Sequence, residues 1–153
     1  MTNFIYFKHC NIFDSGCEAL VNPVNCVGVM GKGLALQFKK RFPDNYGYYS
    51  EACREHEVFL GKMFVTFEMH RLETHVWIVN FPTKLHWRNH SQLSWIADGL
   101  DDLRTVIQGY AIRSIAIPAL GCGLGGLDWV NVRDMIEYKL ADIDPLTVKV
   151  YEP

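Results

Sequence analysis

Two glycine-rich segments limit this chain more than any other feature. NPVNCVGVMGKG (residues 22–33) and PALGCGLGGLDW (residues 118–129) each follow a short apolar run and lead into a stretch with helical character. Strand, glycine loop and helix, in that order, present free backbone N–H groups at a helix N-terminus, where the dipole favours an anion. In α/β sheets ligands sit beyond the carboxyl ends of the strands, which is where both segments fall. A pair of such junctions suggests a clamp on both phosphates of a diphosphate.

The remaining periodicities supply the sheet and its cover. Residues 4–7, 19–21, 62–68, 75–81, 114–118 and 146–151 are β-branched, aromatic or apolar runs and are predicted as strands. A polar turn over His70 to Thr74 joins the third to the fourth. Gly31-Lys32-Gly33 opens a helix over residues 34–41, with Leu34, Leu36 and Phe38 on or near its buried side. Phe42-Pro43-Asp44 stops it and starts a second, running to about His56. Ser91 is a suitable N-cap for the helix carrying Leu93, Ile96, Leu100, Leu103 and Ile107, and residues 128–140 form the last helix. The order β–β–α–α–β–β–α–β–α–β predicts a three-layer α/β/α sandwich around a mostly parallel central sheet. Its 153 residues fit one domain, 1–153.

Composition excludes several classes. An apolar fraction of 49% with 21% charged residues is ordinary for a globular domain. No apolar run approaches the roughly 18 residues of a membrane span, and MTNFIYFKHCN lacks a signal peptide's layout. A cytoplasmic protein with no membrane partner is expected. Five cysteines without a CxxC pair read as free thiols, Cys26 and Cys122 lying in the glycine loops. The net charge of −2 is unlike that of a protein gripping long DNA, so any nucleic-acid contact must be local.

Neither glycine loop fits a familiar nucleotide motif fully. The first fails the P-loop spacing, with Gly33 where a Mg²⁺-binding hydroxyl should stand. In the second, Gly121, Gly123 and Gly126 satisfy GxGxxG, but only one βαβ unit carries them and Asp128-Trp129 crowds the helix entry. A third segment, NFPTKLHWRNH (residues 80–90), gathers Lys84, His86, Trp87, Arg88 and His90 on one stretch. Cations beside an aromatic face suit a stacked base and its phosphate, with His86, Trp87 and Arg88 as the candidate nucleic-acid contacts. Trp87 could equally be an anchor packing its own loop. His86 and His90 are spaced i, i+4, but no neighbouring acid or thiol completes a metal set, so neither metal nor cofactor is expected.

These three segments, EALVNPVNCVGVMGKGLALQFK, NFPTKLHWR and IPALGCGLGGLDW, resemble the macrodomains, which are ADP-ribose-binding α/β modules. Within them the chain is most similar to the DarG class of DNA ADP-ribosyl glycohydrolases, antitoxins that reverse thymidine ADP-ribosylation of DNA by a DarT toxin. The resemblance implies a macrodomain-type sandwich, excised from a longer protein, that binds ADP-ribose. It implies the distal ribose near Asn22 and Asn25, and the diphosphate between Val29, Met30, Gly31, Lys32, Gly33 and the run Gly121, Cys122, Gly123, Leu124, Gly125, Gly126. Adenine would lie near Asn11 and Ile12, where many macrodomains have aspartate at the first position, and Thr83 would adjoin the ligand.

Lys84 matches the lysine implicated in catalysis, as an amine attacking the anomeric carbon or as an ammonium assisting the leaving base. Related hydrolases add an aspartate directly after GCGL, where this chain has Gly125. Asp128 could reach the site instead, though an N-cap role is favoured. The implied reaction removes ADP-ribose from thymidine in single-stranded DNA. A non-catalytic ADP-ribose reader and a hydrolase of protein-linked ADP-ribose are the alternatives. The implied partners are ADP-ribose, ADP-ribosylated single-stranded DNA, and a DarT-like toxin met through the DNA product or through a region outside this chain.

Overall fold

Strand β2 (Ala19–Asn25) is buried along its length, with only Pro23 half-exposed. A strand apolar on both faces needs cover on both, the mark of a parallel sheet between helical layers. A computed structural model describes residues 1–71 and 74–153 of the chain. β1 (Asn3–Phe7), β2, β3 (Phe64–Arg71), β4 (Thr74–Lys84), β5 (Ser114–Pro118) and β6 (Thr147–Tyr151) form a six-stranded sheet in the order β1-β6-β5-β2-β4-β3. All neighbours are parallel except β3 and β4. The helices are α1 (Gly33–Arg41), α2 (Pro43–Arg54), α3 (Leu93–Gly109) and α4 (Trp129–Lys139), with a 3₁₀ turn at Ile12–Asp14. Among the described residues no helix is long and apolar enough to cross a membrane.

On one face of the sheet, Val21, Val79, Phe81, Ile115, Ile117, Val148 and Val150 pack against Ile96, Leu100, Leu103 and Ile107 of α3 and Val132 and Ile136 of α4. Gly99 lets α3 lie directly on the sheet, since a Cβ there would meet the Phe81 ring at 2.4 Å. On the other face Leu20, Ile78 and Ala116 meet Phe13, Phe38 and Phe42, while Val24 and Met30 meet Tyr49 of α2.

The three-layer sandwich follows the expectation, with local differences: β3 spans Phe64–Arg71 and β4 runs on past Phe81 to Lys84. β2 does not stop at Val21: it continues through Pro23 to Asn25. β5 pairs with it only at Ala19 and Leu20, so beyond that point one edge of β2 is free and tolerates a residue without a donor. Ser91 is not the cap of α3. Gln92 takes that position without a side-chain bond, and the buried Ser91 instead donates its N–H to the Gly125 carbonyl at 3.0 Å. His70 and Arg71 belong to β3 and Thr74 to β4; the rest of the expected turn, residues 72 and 73, lies outside the described residues.

Candidate functional site

Parallel strands carry their ends to one edge of the sheet. The register between β2 and β4 shifts there: Val24 lies opposite Pro82 and Asn25 opposite Lys84, so Thr83 is an extra residue. Such a bulge re-aims the residue that follows it, and here it brings Lys84 beside Asn25. Above this edge the loops enclose a cleft of about 1160 Å³. That volume exceeds the usual drug-sized pocket and accommodates a ligand as long as a dinucleotide.

The first wall is the loop between β2 and α1. Asn25 shapes it: its Oδ1 accepts from the Val27 and Val29 N–H groups at 3.0 and 3.3 Å, and its Nδ2 donates to the Val29 carbonyl at 2.8 Å. Lys32 is the N-cap of α1 and makes no side-chain cap bond, which leaves N–H groups at the start of α1 free to meet an anion. The second wall is the loop between β5 and α4. Asp128 is the N-cap of α4, accepting from Val130 N–H at 3.0 Å. This geometry agrees with the capping role rather than a reach into the cleft. A Cβ on Gly125 would stand 2.5 Å from the Gly121 carbonyl oxygen and 2.5 Å from Ser91 Oγ, so position 125 has no room for an aspartate.

Lys84 and the turn that follows it make the third wall. Lys84 Nζ donates to the Trp87 carbonyl at 3.0 Å, and burial pushes its pKa below the ordinary lysine value. Asn89 closes the turn, donating its N–H to the His86 carbonyl at 2.9 Å and accepting the His86 N–H on Oδ1 at 3.1 Å. Arg88 lies 4.6 Å over the Trp87 ring and the His86 ring is 5.1 Å away on centroids. Trp87 is 43% exposed, which makes it a presented face and not a buried anchor. The walls are tied together: Cys26 N–H donates to the Leu85 carbonyl at 3.0 Å, and Ser91 N–H to Gly125.

Most of the expected residues meet on the cleft. Asn11, Ile12, Asn25, Val29, Gly31, Lys32, Gly33, Thr83, Lys84, Trp87, Arg88, Gly121, Gly123, Leu124 and Gly125 all line it. Five do not. Asn22 points toward α2 and is fully buried, donating to Asn80 Oδ1 at 3.1 Å, because it sits one alternation away from the cleft end of β2. Met30 is packed with Tyr49 in the core, and Cys122 turns toward the α3–α4 core. Gly126 lies behind the lining, and His86 supports Trp87 from outside the cleft. Sequence reasoning missed the far end, where His9, Cys10, Tyr151, Glu152 and Pro153 join Asn11. Only the β1–β6 pairing, with Glu152 N–H donating to the Phe7 carbonyl at 2.9 Å, brings the last residues there.

Comparison with known proteins decides the family: the Macro domain model matches residues 21–136. The chain belongs to the macrodomain family. This macrodomain is 48% identical over 147 residues to a DNA ADP-ribosyl glycohydrolase of Thermus aquaticus, covering 96% of the chain and 41% of that protein. It therefore spans about two fifths of the length of such curated relatives. Among solved structures, the macrodomain of Mycobacterium tuberculosis DarG superposes with a TM-score of 0.92 at 44% identity, covering 100% of this chain and 98% of that one. Thermosipho africanus DarTG in complex with ADP-ribose superposes with a TM-score of 0.90 at 36% identity, covering 99% of this macrodomain and 42% of that chain.

Proposed function

We propose that this macrodomain is a DNA ADP-ribosyl glycohydrolase that releases ADP-ribose from thymidine in single-stranded DNA. The observation that carries the proposal is the position of Lys84: a partly desolvated amine on the cleft, opposite Asn25 in the sheet register, with an exposed tryptophan and arginine three and four residues on. ADP-ribose would lie with adenine at Asn11 and Ile12, diphosphate against the two glycine loops and distal ribose at Asn25, next to Lys84. The relatives named as DNA ADP-ribosyl glycohydrolases, and the DarTG structure holding ADP-ribose, support the same reading. A partner DarT-like toxin, met through the DNA or through the part of the relatives this chain does not span, and a cytoplasmic setting belong to the proposal.

The bond broken joins the distal ribose anomeric carbon to a thymine nitrogen. Water supplies hydroxyl to that carbon and a proton to the base, giving ADP-ribose and thymidine. Positive character on the ribose is stabilised by the bound diphosphate. A lowered Lys84 pKa enlarges the neutral amine fraction and favours attack on the anomeric carbon: the carbon–thymine bond breaks, the base takes up the proton the amine loses, and water then hydrolyses the lysine–ribose adduct to ADP-ribose and free Lys84. Turnover then rises with pH through a pKa below that of an ordinary lysine; an ammonium assisting the leaving base would instead lose activity over the same range.

The test is ADP-ribose release from a short single strand carrying ADP-ribosyl-thymidine. Wild type is expected to turn over, while Lys84→Ala and the permanently charged Lys84→Arg bind ADP-ribose and do not. Substantial turnover by Lys84→Arg transfers the role to the cation. No release by wild type, with ADP-ribose still bound, makes this a reader or a hydrolase of protein-linked ADP-ribose.

A further inference from the structure

A tyrosine outside the glycine loops holds Asn25, a polar side chain that the end of β2 presents to the cleft. Tyr49, on α2, is fully buried. Its hydroxyl lies 2.7 Å from the Asn25 carbonyl oxygen and 3.0 Å from Asn25 Oδ1. A phenol has a single proton to donate, and here both oxygens within reach belong to Asn25. Burial raises the Tyr49 pKa, so the hydroxyl remains a donor at any physiological pH.

The consequence for Asn25 follows from counting its donors and acceptors. Oδ1 faces the Tyr49 hydroxyl and two backbone N–H groups, which forbids flipping the amide. One Nδ2 hydrogen is taken by the Val29 carbonyl. What remains is a second Nδ2 hydrogen, so Asn25 offers the cleft a donor only. A ribose hydroxyl oxygen accepts such a bond; a phosphate would be held by the backbone N–H groups of the loops instead.

Tyr49 is itself held in place. Glu68 of β3 accepts the Asp44 N–H at 2.9 Å and the Asn45 N–H at 3.3 Å, anchoring the start of α2. The Asn45 and Asn80 side chains bond to each other, Nδ2 of Asn80 to Oδ1 of Asn45 at 2.8 Å, and Thr66 donates to the same Asn45 oxygen at 2.6 Å. None of these groups lines the cleft, yet they fix α2 against the sheet edge at which Asn25 stands.

We infer that Tyr49 is a positioning residue for ADP-ribose, acting through Asn25 to make this macrodomain distinguish a nucleoside diphosphate bearing a second ribose from one without it. The inference rests on the ADP-ribose reading above. Its test is calorimetric affinity for ADP-ribose and for ADP, with wild type, Tyr49→Phe, Asn25→Ala and the double variant. Tyr49→Phe removes one oxygen and keeps the ring in the core. It should weaken ADP-ribose about tenfold and change ADP less than about twofold, the loss expected of one orienting hydrogen bond.

In the Asn25→Ala background the same substitution should have no further effect on ADP-ribose beyond about twofold, because the amide that would meet the ribose is gone and the Tyr49 hydroxyl keeps only the main-chain carbonyl of residue 25. Equal weakening of both ligands, or additive losses, would mean that Tyr49 is merely structural and overturns the inference. A wild type that binds ADP-ribose no better than ADP overturns it as well, and a wild type that binds neither refutes the ADP-ribose reading first. A second readout needs no ligand: the Val27 and Val29 amides should exchange hydrogen several-fold faster in Tyr49→Phe, with the β5 amides unchanged. Unchanged exchange at Val27 and Val29 also overturns it.

Discussion

A methyl group at position 125 would stand 2.5 Å from the Gly121 carbonyl oxygen and 2.5 Å from Ser91 Oγ, closer than carbon and oxygen approach without displacement. The serine hydroxyl can rotate away; the carbonyl belongs to the loop backbone and cannot. Gly125→Ala therefore forces the Gly121 to Gly126 loop to move. Overpacking of this kind costs about 1–3 kcal/mol. In a domain of this size each kcal/mol lowers Tm by about 2–4 °C, so a fall of about 2–12 °C is expected in thermal unfolding. In the proposed pose this loop would hold the diphosphate through its N–H groups, and losing one bond to a charged oxygen costs about 1.5–3 kcal/mol, or roughly 10- to 150-fold in ADP-ribose Kd. Gly125→Asp should do at least as badly, adding a carboxylate near the diphosphate. Ser91→Ala combined with Gly125→Ala should recover only part of the loss, since the Gly121 carbonyl remains. A Gly125→Ala protein with wild-type Tm and wild-type ADP-ribose Kd would falsify the argument that this loop excludes a second catalytic acid by shape.

Two further outcomes follow from the cleft walls. Trp87→Ala should raise KM for an ADP-ribosylated oligonucleotide about 5- to 150-fold in steady-state assays, the range for one base–aromatic stack of about 1–3 kcal/mol; an unchanged KM would remove Trp87 from the DNA contact. Asp128→Ala should cost about 0.5–2 kcal/mol of stability as a lost N-cap, seen in denaturant unfolding, with turnover retained. Loss of turnover by orders of magnitude in a folded Asp128→Ala protein would instead make it the missing acid.

The parts of the site that sequence exposed are those where backbone geometry restricts residue choice. Gly125 is the clearest case: a bare backbone is required there by the Gly121 carbonyl and Ser91. The helix entry was legible for a different reason: Gly33 adopts φ +58°, the left-handed region that favours glycine. Asn22 and Asn25 looked alike on the page, three residues apart beside a proline. The structure separates them because β2 runs on through Pro23 and only its last three residues, Pro23 to Asn25, reach the cleft. Ser91 misled because a serine before a helix is a good cap, while its position here is set by the bond of its main-chain N–H to Gly125, on a loop more than thirty residues away. Glu152 stood out in the sequence only as a possible ribose-binding acid of the discounted dinucleotide fold, and Tyr151 not at all: their place in the cleft is a product of strand order, with β6 between β1 and β5.

The same contrast explains how three irregular segments form one wall-to-wall site. Each has hydrogen bonds within itself, and two more run between them. The first is tied to the third through Cys26 and Leu85, and the third to the second through Ser91 and Gly125. Both ties are backbone–backbone hydrogen bonds, so they place no demand on side-chain identity and leave no mark in the sequence. Lys84 sits between them, its Nζ bonded to Trp87 within the third segment. A ligand pressing on either glycine loop therefore acts on the lysine's own loop through the backbone. If the proposed pose holds, diphosphate binding and placement of the Lys84 amine are expected to be coupled through these two backbone hydrogen bonds.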